Sequence, residues 1–282
     1  MYICGQKNLL TRLEDLVNKQ KVPRFIILVA PEGFGKKVVC EWLSKKLGCN
    51  FVPCESKVES VRQVIYESYT ISNSSLYMFF DCDDMSVSAK NALLKVTEEP
   101  PNNAYFVMTV RDISSVLGTL VSRASIFYLS TYSKDDLVEY TEQRQYVFPN
   151  DIKSIVYEIS TCPKDISICS EIDVKNLYEL ADKFIQYIGS VPLYNEFKIG
   201  SMLSVKKDDG KINPIMFMRC VMICCNGYIL RQCELEDLKV FYTIISQTSK
   251  YLSELCQKGS SKQIVIDNWI LDTHLQISGG TV

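Results

Sequence analysis

The stretch that most constrains this chain is the apolar run Leu76-Tyr77-Met78-Phe79-Phe80, followed at once by Asp81, Asp83 and Asp84. A short apolar run ending in acids reads as a strand buried on both faces of a parallel sheet, with its carboxylates at the carboxyl end. Open α/β sheets bind ligands at that edge. Ser86 reads as an N-cap, and the amphipathic helix after it runs to about Glu99. Pro100 and Pro101 stop it there, because proline has no N–H and clashes with the preceding turn. A second strand is predicted at 105–108, ending at Thr109 and Arg111, then a short helix ending near Ser122-Arg123, and a strand at 126–129.

A matching unit precedes this one. The strand expected at 25–29 runs into Ala30-Pro31-Glu32-Gly33-Phe34-Gly35-Lys36-Lys37 and then a helix to about Leu47. A phosphate-binding loop reads G-x-x-x-x-G-K-[ST]: backbone N–H groups and the helix N-terminus wrap the phosphates, the lysine reaches their outer oxygens, and the hydroxyl binds Mg²⁺. Gly33, Gly35 and Lys36 keep that pattern, while Ala30 replaces the first glycine and Lys37 the hydroxyl. The loop therefore reads either as a degenerate nucleotide site or as a plain glycine-rich turn between strand and helix. A strand at 50–53 and a helix at 58–72 complete an α/β pattern.

The blocks Asn91-Ala92-Leu93-Leu94-Lys95, Glu98-Glu99-Pro100-Pro101, Thr109 and Ser122-Arg123, in that order, resemble the bacterial clamp-loader subunits of the AAA+ class. The resemblance is strongest to the delta-prime subunits of DNA polymerase III, phage-encoded relatives included. It implies a P-loop α/β core with a five-stranded parallel sheet over residues 1–131, a helical lid over 132–173 and an all-α collar over 174–282. It implies that Gly5-Gln6 precedes a first helix packed beside the nucleotide's base. The family's D-E-A-D motif falls in one of two registers. Without a gap, Phe80 takes the metal-holding position and Asp81 the catalytic one; with one residue deleted before Met85, Asp81 takes the metal position and Cys82 the catalytic one. Either register loses an acid, and small misplacements are costly in phosphoryl transfer. With Ala30 and Lys37, this implies a hydrolytically silent site made of Ala30, Pro31, Gly33, Gly35, Lys36, Lys37, Asp81, Asp83 and Thr109. Thr109 stands at the family's sensor 1 position or is simply a strand-ending threonine. Lys164 stands near the sensor 2 position, though an exposed lysine at a helix start accounts for it more simply. Arg123 matches the family's arginine finger, with Ala124 in place of the motif's cysteine. Such a finger stabilises charge on a neighbour's γ-phosphate, worth about a thousandfold or more in comparable systems.

The function implied is a non-catalytic subunit of a sliding-clamp loader in DNA replication. Its expected partners are other clamp-loader subunits in a hetero-oligomeric ring, the sliding clamp, primer-template DNA and the replicative polymerase. ATP or ADP with Mg would sit mainly at neighbouring subunits. The rivals are a motor-type subunit that binds and hydrolyses Mg·ATP through Lys36 and Asp81, a helicase loader or DNA-binding protein of the same fold, and a purely structural protein.

A net charge of −2 argues against the chain as a whole binding nucleic acid through a basic surface, leaving Lys37, Lys90 and Arg111 as exposed candidates for local contacts. The twelve cysteines include no C-x-x-C pair, and His274 is the single histidine, so no metal site is expected. Cys40, Cys49 and Cys54 do not make the four-cysteine zinc module of many relatives. Cys224-Cys225 reads as helix core. With no signal-peptide pattern and no run of eighteen apolar residues, a cytoplasmic chain of a bacterium or a phage-infected cell is expected. Short helices are predicted at 135–144, 151–160 and 163–171. From Val174 the pattern is helical throughout, with an exposed turn at 208–211 and a nearly all-apolar helix from Pro214 to about Cys225. Helices near 235–257 and 260–272 and a disordered tail from Ser278 close the chain. A helix apolar on every side must be buried.

Overall fold

The structure, a computed structural model, describes residues 3–188, 194–203, 212–231, 235–256 and 261–279. The chain divides into two compact units, residues 1–146 with 161–166, and residues 147–160 with 167–282.

The first unit is built on β1 (Phe25–Val29), β2 (Asn50–Cys54), β3 (Ser75–Phe79), β4 (Ala104–Val110) and β5 (Ser125–Tyr128). They form one five-stranded, all-parallel sheet in the order β2-β3-β4-β1-β5. Every residue of β1 and β3 is buried, as the unbroken apolar runs require. Alternate strand residues feed two cores, because side chains alternate across a strand. Ile26, Leu28, Leu76, Met78 and Val107 pack with α1 (Lys7–Asn18) and α2 (Lys36–Leu47). Ile27, Tyr77, Phe79, Phe106 and Met108 pack on the other face with α3 (Val58–Thr70) and α4 (Val87–Glu98). Pro53 falls in edge strand β2, the sheet position that tolerates proline.

Ser86 caps α4 by accepting from the Ala89 N–H, as its sequence position predicts. The strand expected at 76–80 lies one residue earlier, so Phe80 stands outside it and the acidic segment begins in a turn. α3 stops at Thr70 instead of Ser72. After β4 come a 3-10 turn (Ile113–Ser115) and α5 (Gly118–Val121), then β5 and α6 (Lys134–Gln143), whose Ser133 and Asp136 form a capping box.

Residues 132–173, expected as a lid, form α6, α7 (Asn150–Ile159) and α8 (Pro163–Cys169), shared between the two units. The second unit continues with α9 (Val174–Tyr187), α10 (Tyr194–Gly200), α11 (Pro214–Leu230), α12 (Leu235–Leu255) and α13 (Lys262–Ser278). The apolar α11 lies at its centre, against α7, α9 and α12. Pro214 takes the first helical turn and Asn213 caps it. α11 runs five residues past Cys225 and α13 six past residue 272. Phe184, Phe217 and Trp269 form an aromatic nucleus with centroids 4.9–6.2 Å apart. Arg219 interrupts the apolar run, and its Nη1 donates to the Ile159 carbonyl at 2.9 Å, at the end of α7. His274 Nδ1 lies 2.8 and 3.0 Å from the two oxygens of fully buried Glu196, joining α13 to α10. The turn expected at 208–211 and the tail beyond Gly279 lie outside the described residues. Among the described residues no helix is long and apolar enough to cross a membrane.

Candidate nucleotide-type site and a separate arginine

The loop from Ala30 to Gly35 leads from β1 into α2, at the carboxyl edge of the sheet. Gly33 and Gly35 adopt φ of 85° and 84°, left-handed values that a side chain resists. Lys36 does not project into an open cradle. Its Nζ donates to the Ala30 carbonyl and, at 3.1 Å, to the Pro31 carbonyl, so it closes the loop on itself. Burial lowers the Lys36 pKa from its ordinary value, and the carboxylates of Asp81, Asp83 and Glu32 oppose that fall. Lys37 turns away and pairs with Glu41 one helical turn on at 3.8 Å. It therefore puts no ammonium into the site, but it supplies no metal ligand either.

The loop is covered from two sides within the same unit. Lys164 Nζ meets Glu32 Oε1 at 2.5 Å. A Cβ placed on Gly33 would lie 2.7 Å from both Cys162 Sγ and Lys164 Cβ. Tyr132 donates its hydroxyl to the Phe34 carbonyl at 2.9 Å and packs edge-on against the Phe34 ring. Buried Gln6 exchanges two hydrogen bonds with the Ser130 backbone, at 2.8 and 2.9 Å, which fixes segment 130–133 beside the loop. What remains open is a cavity of about 220 Å³ among Ile3, Val38, Tyr132, Tyr140, Arg144 and Lys164. It is smaller than the roughly 300–1,000 Å³ typical of small-molecule pockets.

In the acidic segment the Asp83 carboxylate is taken up by backbone N–H groups. Asp81 takes a left-handed φ of 46°, and its N–H donates to Thr109 Oγ1 at 3.3 Å. Thr109 in turn donates to the Phe79 carbonyl at 3.1 Å, so its hydroxyl ties β3 to β4. Asp83 accepts from the Arg111 N–H at 2.9 and 3.0 Å, the Asp112 N–H at 3.2 Å and Ser115 Oγ at 3.2 Å. Burial pushes the Asp83 pKa up, but these donors and the Arg111 guanidinium outweigh it, leaving the pKa below the ordinary carboxylate value. Phe80 is half-buried, and its carbonyl accepts from the Ser56 hydroxyl. Cys82 is fully buried, its thiol 3.3 Å from the Phe79 carbonyl and pushed up by burial to about 12.

The structure thus brings Glu32, Lys36, Asp81, Asp83 and Thr109 to one edge, with most of their side chains engaged by neighbouring backbone groups or by Lys164 and Arg111. Within this set Lys37 supplies no hydroxyl ligand, Asp83 accepts from N–H donors and Lys36 donates to loop carbonyls. Among the described residues no group of three or more His, Cys, Asp or Glu could hold a metal. Lys90, read from sequence as exposed, is buried: its Nζ donates to the Ser115 carbonyl at 2.7 Å and the Asp83 carbonyl at 3.4 Å. It lies among the buried residues of α4, with Ala89, Leu93, Val96 and Thr97. Arg111 is three-quarters buried and pairs with Asp83 and Asp84, so of the three candidates Lys37 is the most exposed.

Arg123 stands apart, just beyond α5. Its Nη2 meets Glu98 Oε1 at 2.6 Å and its Nη1 donates to the Thr119 carbonyl at 2.7 Å. Its side chain keeps 35% exposure. The sequence placed Glu98 in the Glu98-Glu99-Pro100-Pro101 block without a pairing to Arg123, and it singled out neither Glu32 nor Ser115, because pairings across 25 or more residues leave no local trace.

Residues 54–133 match the family model described as "DNA polymerase III, delta subunit". A DNA polymerase III subunit gamma from Buchnera aphidicola (subsp. Acyrthosiphon pisum) is 26% identical over 169 residues, 49% of this chain and 47% of that one. A DNA polymerase III subunit delta' from Yersinia pestis is 36% identical over 76 residues, 26% of this chain and 22% of that one. Over these segments the chain is similar to subunits of DNA polymerase III. The chain spans about half the length of the gamma relative or less of the others. The fold agrees. A DNA polymerase III gamma subunit-related protein from Thermotoga maritima superposes with a TM-score of 0.51 at 14% identity, covering 94% of this chain and 99% of that one. The Thermotoga maritima RuvB Holliday junction branch migration motor gives 0.50 at 14% identity over 63% of this chain and 64% of that one.

Proposed function

We propose that this clamp-loader relative is a non-catalytic subunit of a sliding-clamp loader, acting through Arg123 on a nucleotide held by a neighbouring subunit. Residues 174–282 serve as the collar that joins subunits into a hetero-oligomeric ring, and residues 132–173 as the lid. The ring, driven by ATP and Mg²⁺ at neighbouring subunits, opens the clamp on primer-template DNA for the replicative polymerase.

The observation that carries this reading is Lys36. A phosphate-binding lysine must offer its ammonium to phosphate oxygens. Here that ammonium is turned onto the Ala30 and Pro31 carbonyls, beneath the Lys164–Glu32 pair. Arg123, by contrast, stands partly exposed where a partner can reach it. The motor reading draws support from the gamma relative, which matches more of this chain than the delta' segment does.

The test is ATP turnover by the reconstituted assembly, stimulated by clamp and primed DNA. Arg123→Ala is expected to lower kcat about a thousandfold at the site it serves, while Lys36→Ala leaves it nearly unchanged. A loss with Lys36→Ala and none with Arg123→Ala supports the motor reading instead.

A further inference from the structure

We propose that Glu98 is a positioning residue for Arg123: a latch that parks the guanidinium against its own chain until a neighbour's phosphate displaces it. This rests on the arginine-finger reading above.

The geometry gives the latch its form. Glu98 is the last residue of α4, and Pro100 and Pro101 fix where that helix ends. Its Oε1 lies 2.6 Å from Arg123 Nη2, while the Thr119 carbonyl takes Nη1 at 2.7 Å. Both terminal nitrogens of the fork are therefore engaged by this chain. Arginine binds phosphate best through two parallel N–H···O bonds. A phosphate that approaches the Nη1–Nη2 edge competes with Glu98 for this guanidinium. A carboxylate left in place would also cancel much of the charge that Arg123 brings to the developing anion, so the latched state opposes the engaged one.

The latch is weak enough to open. The Glu98 side chain is 52% exposed and that of Arg123 35%. Exposed ion pairs of this kind shift an equilibrium about 1.4- to 5-fold. Parking lowers the engaged fraction by that same factor, a tax on the competent state. It also keeps an exposed guanidinium off other phosphates, those of DNA among them, until the subunits are correctly seated.

The experiment uses the full-length chain in its assembly with ATP-hydrolysing subunits, with Mg·ATP as substrate and with clamp and primed DNA present. Glu98→Gln keeps the side-chain volume and removes the charge. It is expected to raise kcat about 1.4- to 5-fold with KM nearly unchanged, and the gain should shrink as salt screens the wild-type pair. In an Arg123→Ala background the same change should do nothing. A packing role for Glu98 would instead lower kcat, or act alike in both backgrounds. Either result, or no change with Glu98→Gln while Arg123→Ala is inactive, overturns the latch alone. Full activity of Arg123→Ala overturns the finger reading and the latch with it.

Discussion

Replacing Asp83 by Asn should destabilise the first unit by about 1.5–3 kcal/mol, the size of a hydrogen bond to a charged group. The side chain is 10% exposed and gathers the Arg111 and Asp112 N–H groups, the Ser115 hydroxyl and the Arg111 guanidinium onto two oxygens. Asparagine keeps one acceptor, but turns an NH₂ toward the Arg111 N–H and guanidinium, so the charge-assisted bonds on that oxygen are lost. The sign of the pH dependence follows from the depressed pKa. The unfolded carboxyl titrates near 3.9, so the wild-type advantage is complete well above that value. It is lost as pH falls from there through the lower folded pKa. The assay is urea unfolding of the full chain at pH 7 and at stepwise lower pH. The two tryptophans divide conveniently: Trp42 lies in the first unit and Trp269 in the second. In a Trp269→Phe background, fluorescence follows Trp42 alone. A change below about 0.5 kcal/mol at pH 7 would refute the reasoning. So would a penalty that stays constant as Asp83 protonates.

Gly33→Ala should cost the first unit about 1–3 kcal/mol by the same fluorescence assay, since it combines a left-handed φ with contacts of 2.7 Å to Cys162 and Lys164. Trp269→Ala, which empties the centre of the Phe184–Phe217 nucleus, should cost the second unit about 3–5 kcal/mol, read by circular dichroism during urea unfolding. Of the described cysteines, exposed Cys256 should react first with a thiol reagent at pH 8, before half-exposed Cys49. Cys40 and Cys82, buried with raised pKa values, should react only on unfolding, as mass spectrometry of timed aliquots would show.

Local patterns were legible to within a few residues. The strand at 25–29, the Ser86 cap, the proline stop after α4 and the start of α11 at Pro214 each rest on neighbours in sequence, through periodicity, capping or missing N–H groups. Boundaries failed where such signals were weak. The acidic strand shifted by one residue, and α11 and α13 ran on past the last of their buried residues. Exposure failed at Lys90, whose long polar side chain reads as surface while its ammonium is met inside by two carbonyls.

The sequence by itself determined the parallel α/β core, the helical remainder, the clamp-loader resemblance and the chemical losses at Ala30 and Lys37. All of these are carried by residue identity and short-range spacing. Only the tertiary structure decided where the remaining charged groups spend themselves. Lys36 turns onto its own loop, Asp83 onto the end of β4, Lys164 onto Glu32, and Arg123 onto Glu98. The physical reason is that a charged side chain takes the best partner within reach once folding has set the distances, and those partners lie far away along the chain.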